Sequence, residues 1–110
     1  TPGITNLEKL LGGPRDGALL RYALGNEHLR AGDFAQAAVR LREAVERDAG
    51  YSAAWKLLGK ALAEDGQGNE ALAAYEQGIA VAEARGDVQA AREMGVFVRR
   101  LRRQLPAAEH

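Results

Sequence analysis

The sequence contains no cysteine, so disulfides, thiolate metal sites and thiol catalysis are excluded. No run of about 18 apolar residues occurs, so no segment reads as a membrane span. No signal peptide is visible. Basic and acidic residues balance at 15 each, so no global field draws the chain toward nucleic acid or a membrane surface. β-Branched residues are few while Ala, Leu, Glu and Arg abound, a composition that favours helix. The histidines are His28 and His110, and neither stands at zinc-ligand spacing from another ligand. The lone serine, Ser52, reads as a helix N-cap and not as a nucleophile. These absences leave no candidate catalytic residue, metal site or cofactor. With 110 residues, one domain is expected. A cytoplasmic, non-enzymatic protein follows as the expectation.

What the sequence does contain is a repeat. Trp55, Leu58, Gly59 and Leu62 fall at i, i+3, i+4 and i+7, one stripe of a helix. Asp65-Gly66-Gln67-Gly68 breaks it, and Asn69 offers a cap for a second helix opening with Ala71, Leu72 and Tyr75. Stepping back 34 residues places Leu58 on Leu24, Gly59 on Gly25, Gly66 on Gly32, Ala71 on Ala37 and Tyr75 on Leu41. Helix–turn–helix units at this period stack side by side, because neither unit can bury its apolar face alone. Glycine inside a helix costs about 1 kcal/mol relative to alanine. Its appearance at both Gly25 and Gly59 predicts a neighbouring helix too close for a side chain. Trp55 is expected to fill space between adjacent units.

The segment W-x-x-L-G-x-x-L followed by A-x-x-x-Y resembles the tetratricopeptide repeat family, in its small bacterial type, over roughly residues 18 to 105. Leu62 stands where that family usually has Tyr, and Gly78 where it has a small residue such as Ala. Asp48-Ala49-Gly50-Tyr51 replaces the usual Asp-Pro-x-Tyr. The resemblance implies an all-α fold, a right-handed superhelix of antiparallel helix pairs. It divides the chain into an N-terminal segment with a short capping helix (1–17), a first repeat (18–51), a second repeat (52–85), a capping helix (86–105) and a loose tail (106–110).

Local signals fill in this outline. Thr5-Asn6-Leu7-Glu8 matches a capping box, predicting a helix over Asn6 to Leu11 that docks through Leu7, Leu10 and Leu11. Asp16 is expected to cap the next helix, and Asp33 with Gln36 the one after. That third helix carries Phe34, Ala37, Ala38, Leu41, Ala44 and Val45 on one face. The second helix of the second repeat extends from Glu70 to Arg85 and stops at Gly86. Asp87 caps a last helix that Pro106 ends. Two stripes compete for the inward side of that helix, Val88-Ala91-Gly95-Val98 and Met94-Phe97-Leu101. Together they are wider than a cap needs, so either the preceding helix covers the excess or some of it is exposed.

Family members bind protein or peptide segments on the concave side lined by the first helix of each unit. The resemblance carries this role to Leu19, Tyr22, Asn26, Leu29 and Arg30 in the first repeat. It carries it to Lys56, Lys60, Ala63 and Glu64 in the second, and to Ala90, Met94 and Phe97 in the last helix. Such a lining suits a peptide with apolar and acidic features. The carboxylate clamp of one family branch is matched by Asn26 alone, with Tyr22, Leu57, Asp87 and Ala91 at its other positions. Arg99-Arg100 and Arg102-Arg103 read as cations complementing a helix C-terminus, with a phosphate contact as the sharper alternative. The expectation is therefore an interaction module for an unidentified protein or peptide with acidic features. No nucleic acid or membrane is expected as a partner, and the chain should be a monomer or weak homodimer. The rival is a self-associating module using the apolar face of the last helix.

Overall fold

The computed structural model describes residues 1–106; the expected loose stretch Ala107 to His110 lies outside them. Among the described residues the chain forms six α-helices and no strand. These are α1 (Pro2–Glu8), α2 (Ala18–Arg30), α3 (Phe34–Arg47), α4 (Ser52–Glu64), α5 (Gly68–Ala84) and α6 (Val88–Gln104). Consecutive helices from α2 to α6 pack as antiparallel neighbours joined by short turns, and α2, α4 and α6 lie side by side on one face.

The turns repeat as faithfully as the helices. At the ends of α2 and α4, Gly32 and Gly66 take φ of 79° and 78°, a left-handed conformation that only glycine adopts at little cost. The Asp33 N–H then donates to His28 O at 2.9 Å and the Gln67 N–H to Leu62 O at 2.8 Å, closing the Schellman pattern. The same geometry recurs at Gly86. Asp33 and Asp87 cap the following helices, accepting from the Gln36 and Ala90 N–H groups at 3.3 Å and 3.1 Å.

Four expected caps are not made. The first helix starts at Pro2, whose fixed φ suits the first helical position, and Thr1 caps it, so Thr5 lies inside the helix. Asp16 does not cap α2. Its carboxylate is held by the Arg21 guanidinium at 2.6 Å and 2.9 Å and by the Gly12 N–H at 2.9 Å. Ser52 is the first helical residue of α4 behind Tyr51, whose carbonyl takes the Ala54 and Trp55 N–H groups. Asn69 lies within α5, which begins at Gly68 behind Gln67, and the Leu105 side chain packs on that glycine.

The core is a row of fully buried Leu24, Leu41, Leu58, Leu62 and Met94, spaced by buried alanines such as Ala37 and Ala71. A Cβ on Gly25 would stand 2.4 Å from Leu41 Cγ, and one on Gly59 would stand 2.5 Å from Tyr75 Cε1. Both glycines therefore mark the close approach their spacing predicts. Gly78 does the same, where a Cβ would meet Met94 Sδ of the next helix at 2.5 Å and Trp55 Cβ of its own unit at 2.9 Å. Trp55 itself is only half-buried, and its indole N–H donates to Ala49 O at 2.8 Å. Arg85 donates to the neighbouring Gly50 O. These two bonds fix the loop in which the family's usual proline is absent.

At the N-terminal end, Leu7, Leu10 and Leu11 are half-buried and α1 docks on α2. At the other end the inward side of α6 combines both expected stripes. Met94, Val98 and Leu101 are buried, and Ala91, Gly95 and Phe97 half-buried, while Val88 is 57% exposed. Some of the excess is therefore left exposed, together with Val96, which lies outside both stripes and is 43% exposed.

Candidate functional site

Because α2, α4 and α6 run side by side, their free faces make one continuous wall, with an opening between α4 and α6. A cavity of 470 Å³ opens there. Tyr75, 3% exposed, and Phe97 contribute its aromatic side, their ring centroids 5.3 Å apart. Tyr75 belongs to α5 and reaches this wall because Gly59 leaves room for its ring. Lys60 and Glu64 from α4 and Arg100 and Gln104 from α6 supply the polar rim. The Arg100 guanidinium sits 5.8 Å from the centre of the Phe97 ring, a cation–π arrangement. Burial raises the Tyr75 phenol to about 12, with Glu64 adding to the rise and Arg100 opposing it.

Toward the N-terminal ends of the same two helices a smaller cavity of 220 Å³ is lined by Lys56, Ala90 and Glu93 among others. Lys56 Nζ and Glu93 Oε1 form an ion pair at 3.1 Å that ties α4 to α6 one turn before Lys60 and Phe97.

Of the residues expected to line the groove, Lys60, Ala63, Glu64 and Phe97 meet in the larger cavity, and Lys56 and Ala90 in the smaller. Met94 is a correction. It is fully buried against Gly78, because it repeats the inward position of Leu58 and not a wall position. The first-repeat residues stand apart from both cavities. Leu19 is 71% exposed and Arg30 exposed, whereas Asn26 and Leu29 are half-buried. Tyr22 stacks on Tyr51 with ring centroids 4.9 Å apart, so one side of its ring is covered. Tyr75, Arg100 and Gln104 were not expected in the site. The signal for Tyr75 was its pairing with Gly59, and for the other two their position one and two turns beyond Phe97.

The late arginines divide their work. Arg102 pairs with Glu76 at 2.6 Å, and Arg100 covers Phe97. Among the described residues no three His, Cys, Asp or Glu side chains gather as a metal site, and no helix is long and apolar enough to cross a membrane. The wall carries no nucleophile paired with a base. Its chemistry is that of contact: an aromatic floor, cations and carboxylates.

Helix hairpins repeated at a fixed period, stacked through glycine-thinned contacts and presenting one shared wall, define an α-helical repeat scaffold. The tetratricopeptide repeat family model matches residues 28–94. A TPR repeat-containing protein of Pseudomonas aeruginosa is 51% identical over 100 residues, which cover 91% of this chain and 95% of that protein. A solution structure of a Bordetella parapertussis protein, 42% identical, aligns with a TM-score of 0.79 over 92% of this chain and 88% of that one. A tetratricopeptide repeat domain protein from Salinibacter ruber, 31% identical, aligns with a TM-score of 0.71 over 80% of this chain and 88% of that one. The chain belongs to the tetratricopeptide repeat family, whose members generally mediate protein–protein interaction.

Proposed function

We propose that this protein is a cytoplasmic, monomeric adaptor that holds a peptide segment in the cleft between α4 and α6. An apolar side chain of the ligand packs on Phe97 and Tyr75, and neighbouring carboxylates meet Lys60 and Arg100. The observation that carries this reading is the meeting of an aromatic floor with two cations in one 470 Å³ cavity. Lys56, already paired with Glu93, contributes at the far end of the cleft. The first-repeat wall from Leu19 to Arg30 extends the contact surface. The scaffold is preformed, so little ordering cost accompanies binding.

The test is affinity capture from native lysate with the wild-type chain beside two charge-reversed variants, Lys60→Glu/Arg100→Glu and Lys56→Glu/Lys60→Glu. Captured proteins, identified by mass spectrometry, should be depleted with both variants while helicity and melting stay near wild type. Capture unchanged by either variant would place the binding surface elsewhere.

A further inference from the structure

We propose that the outer face of α6 is a second docking site, built to receive an amphipathic helix of an acidic partner protein. The argument begins with register. Leu24-Gly25, Leu58-Gly59 and Met94-Gly95 are the same pair of positions in three successive first helices, the last offset by 36 residues because α5 is the longer second helix. In the first two units a large side chain of the next helix lies on the glycine, Leu41 on Gly25 and Tyr75 on Gly59. Nothing equivalent lies on Gly95. A Cβ there would meet only Arg99 Nη1, at 3.6 Å. In place of a covering helix there is an open groove of 610 Å³ along Val88, Ala91, Gly95 and Val96. In the 36-residue register Ala91 and Gly95 repeat Trp55 and Gly59, and the exposed Val88 and Val96 add apolar area along the same groove.

Charge selects the occupant. Arg92 and Arg99 flank the groove, against the single carboxylate of Glu83, and neither arginine has an ion-pair partner among the described residues. A second copy pairing through this face would bring the arginines of both copies together, which like charges resist. A helix with carboxylates beside its apolar stripe satisfies both arginines. The chain contains such a helix: α5, which covers Gly59, carries Glu70, Glu76 and Glu83 and no lysine or arginine. By contrast α3, which covers Gly25, carries Arg40, Arg42 and Arg47 against Glu43 and Glu46, a net positive charge.

These two helices are the probes. Labelled, end-capped peptides of residues 68–84 and 34–47 are titrated into the full chain by fluorescence anisotropy at low and moderate salt. The α5 peptide should bind, weaken with salt, and exceed the α3 peptide by roughly tenfold or more in affinity. Gly95→Leu fills the seat from within and should abolish α5-peptide binding with helicity intact, whereas Lys60→Glu, in the concave cleft, should leave it unchanged. Arg92→Glu/Arg99→Glu should invert the preference between the two peptides, and serves if Gly95→Leu fails to fold. Absence of α5-peptide binding, or binding that survives both variants, overturns the proposal. So does a wild-type dimer in sedimentation that Gly95→Leu dissolves, because the occupant is then a second copy.

Discussion

The ring of Tyr75 occupies the space that a side chain on Gly59 would need, with Cε1 2.5 Å and Cδ1 2.6 Å from the position of a Cβ. One contact thus serves two purposes. It lets α4 and α5 approach closely enough to share a core, and it brings an aromatic ring through to the wall where the larger cavity opens. Stacking and site geometry are consequently coupled at a single glycine.

Alanine substitutions at the three equivalent glycines should therefore have opposite signs. Gly25→Ala and Gly59→Ala force a methyl into Leu41 and Tyr75, and overpacking of this kind costs about 1–3 kcal/mol. That outweighs a helix-propensity benefit of about 1 kcal/mol. Gly95→Ala meets no such neighbour and should be stabilising by up to about 1 kcal/mol. Thermal melts of the three variants check this. Equal shifts at all three positions would contradict the close-approach account.

How far the sequence disclosed this arrangement differs between the repeat and its ends. The 34-residue offset paired Gly59 with Gly25 and Tyr75 with Leu41, because packing that recurs leaves a period in the chain, but that the second pair lies on the first emerges only in the structure. Helix starts were less legible. Asp16 has the right chemistry and place for a cap, but a guanidinium five residues on offers its carboxylate a stronger, charge-assisted pair of bonds. The capping box at Thr5 was pre-empted by Thr1-Pro2, an equally good start four residues earlier. In the site, Met94 was misplaced on the wall because the lengthened α5 shifts the third register from 34 to 36. Counted at 36, Met94 falls on Leu58 and belongs to the core. Arg100 was read with its neighbours as a cation complementing the helix dipole, which already explains it at a helix end, and the neutral amide of Gln104 gave no signal.

Trp55→Ala should destabilise by about 2 kcal/mol, less than the 3–5 kcal/mol of a fully buried aromatic, because the indole is half-exposed. Part of the loss is the bond from its N–H to Ala49 O. Trp55→Phe keeps an aromatic ring beside α5 but forfeits that bond, for a cost of about 1 kcal/mol. Urea titrations followed by circular dichroism resolve the two. A larger loss for Phe than for Ala would show that packing is not the main contribution.

Arg21 joins the start of α2 to α3 by bonding Asp16 on one side and Glu43, at 2.8 Å, on the other. Its guanidinium, with help from the Gly12 N–H, holds the Asp16 carboxyl well below the usual carboxylate range. Burial raises the Glu43 carboxyl, but Arg21 and Arg40 outweigh it and leave Glu43 below its ordinary value. Carboxyls depressed by folding contribute stability above their unfolded pKa near 4, and that contribution is lost as the pH falls through and below that value. Stability should accordingly drop on acidification from neutral pH. Arg21→Gln should be less stable at pH 7 and show a flatter acid limb. Equilibrium unfolding at a series of pH values measures this, and parallel curves for the two proteins would refute it.

The alkaline limb tests the site. Tyr75 is raised to about 12, first by burial and then by Glu64, with Arg100 acting the other way. A phenol favoured in its neutral form by folding contributes stability that is complete below its unfolded pKa of about 10. That stability is lost as the pH rises toward 12, since the unfolded chain ionises first. Ultraviolet titration near the phenolate band should therefore show Tyr75 ionising late, alongside or after the onset of unfolding. Tyr75→Phe should remove this late component and reduce the alkaline loss of stability. Arg100→Gln deletes the opposing charge and should push the Tyr75 transition still higher. A transition moved downward by that variant would mean that Arg100 does not face Tyr75 across the cavity, and the meeting of aromatic floor and cations that carries the proposed function would fail with it.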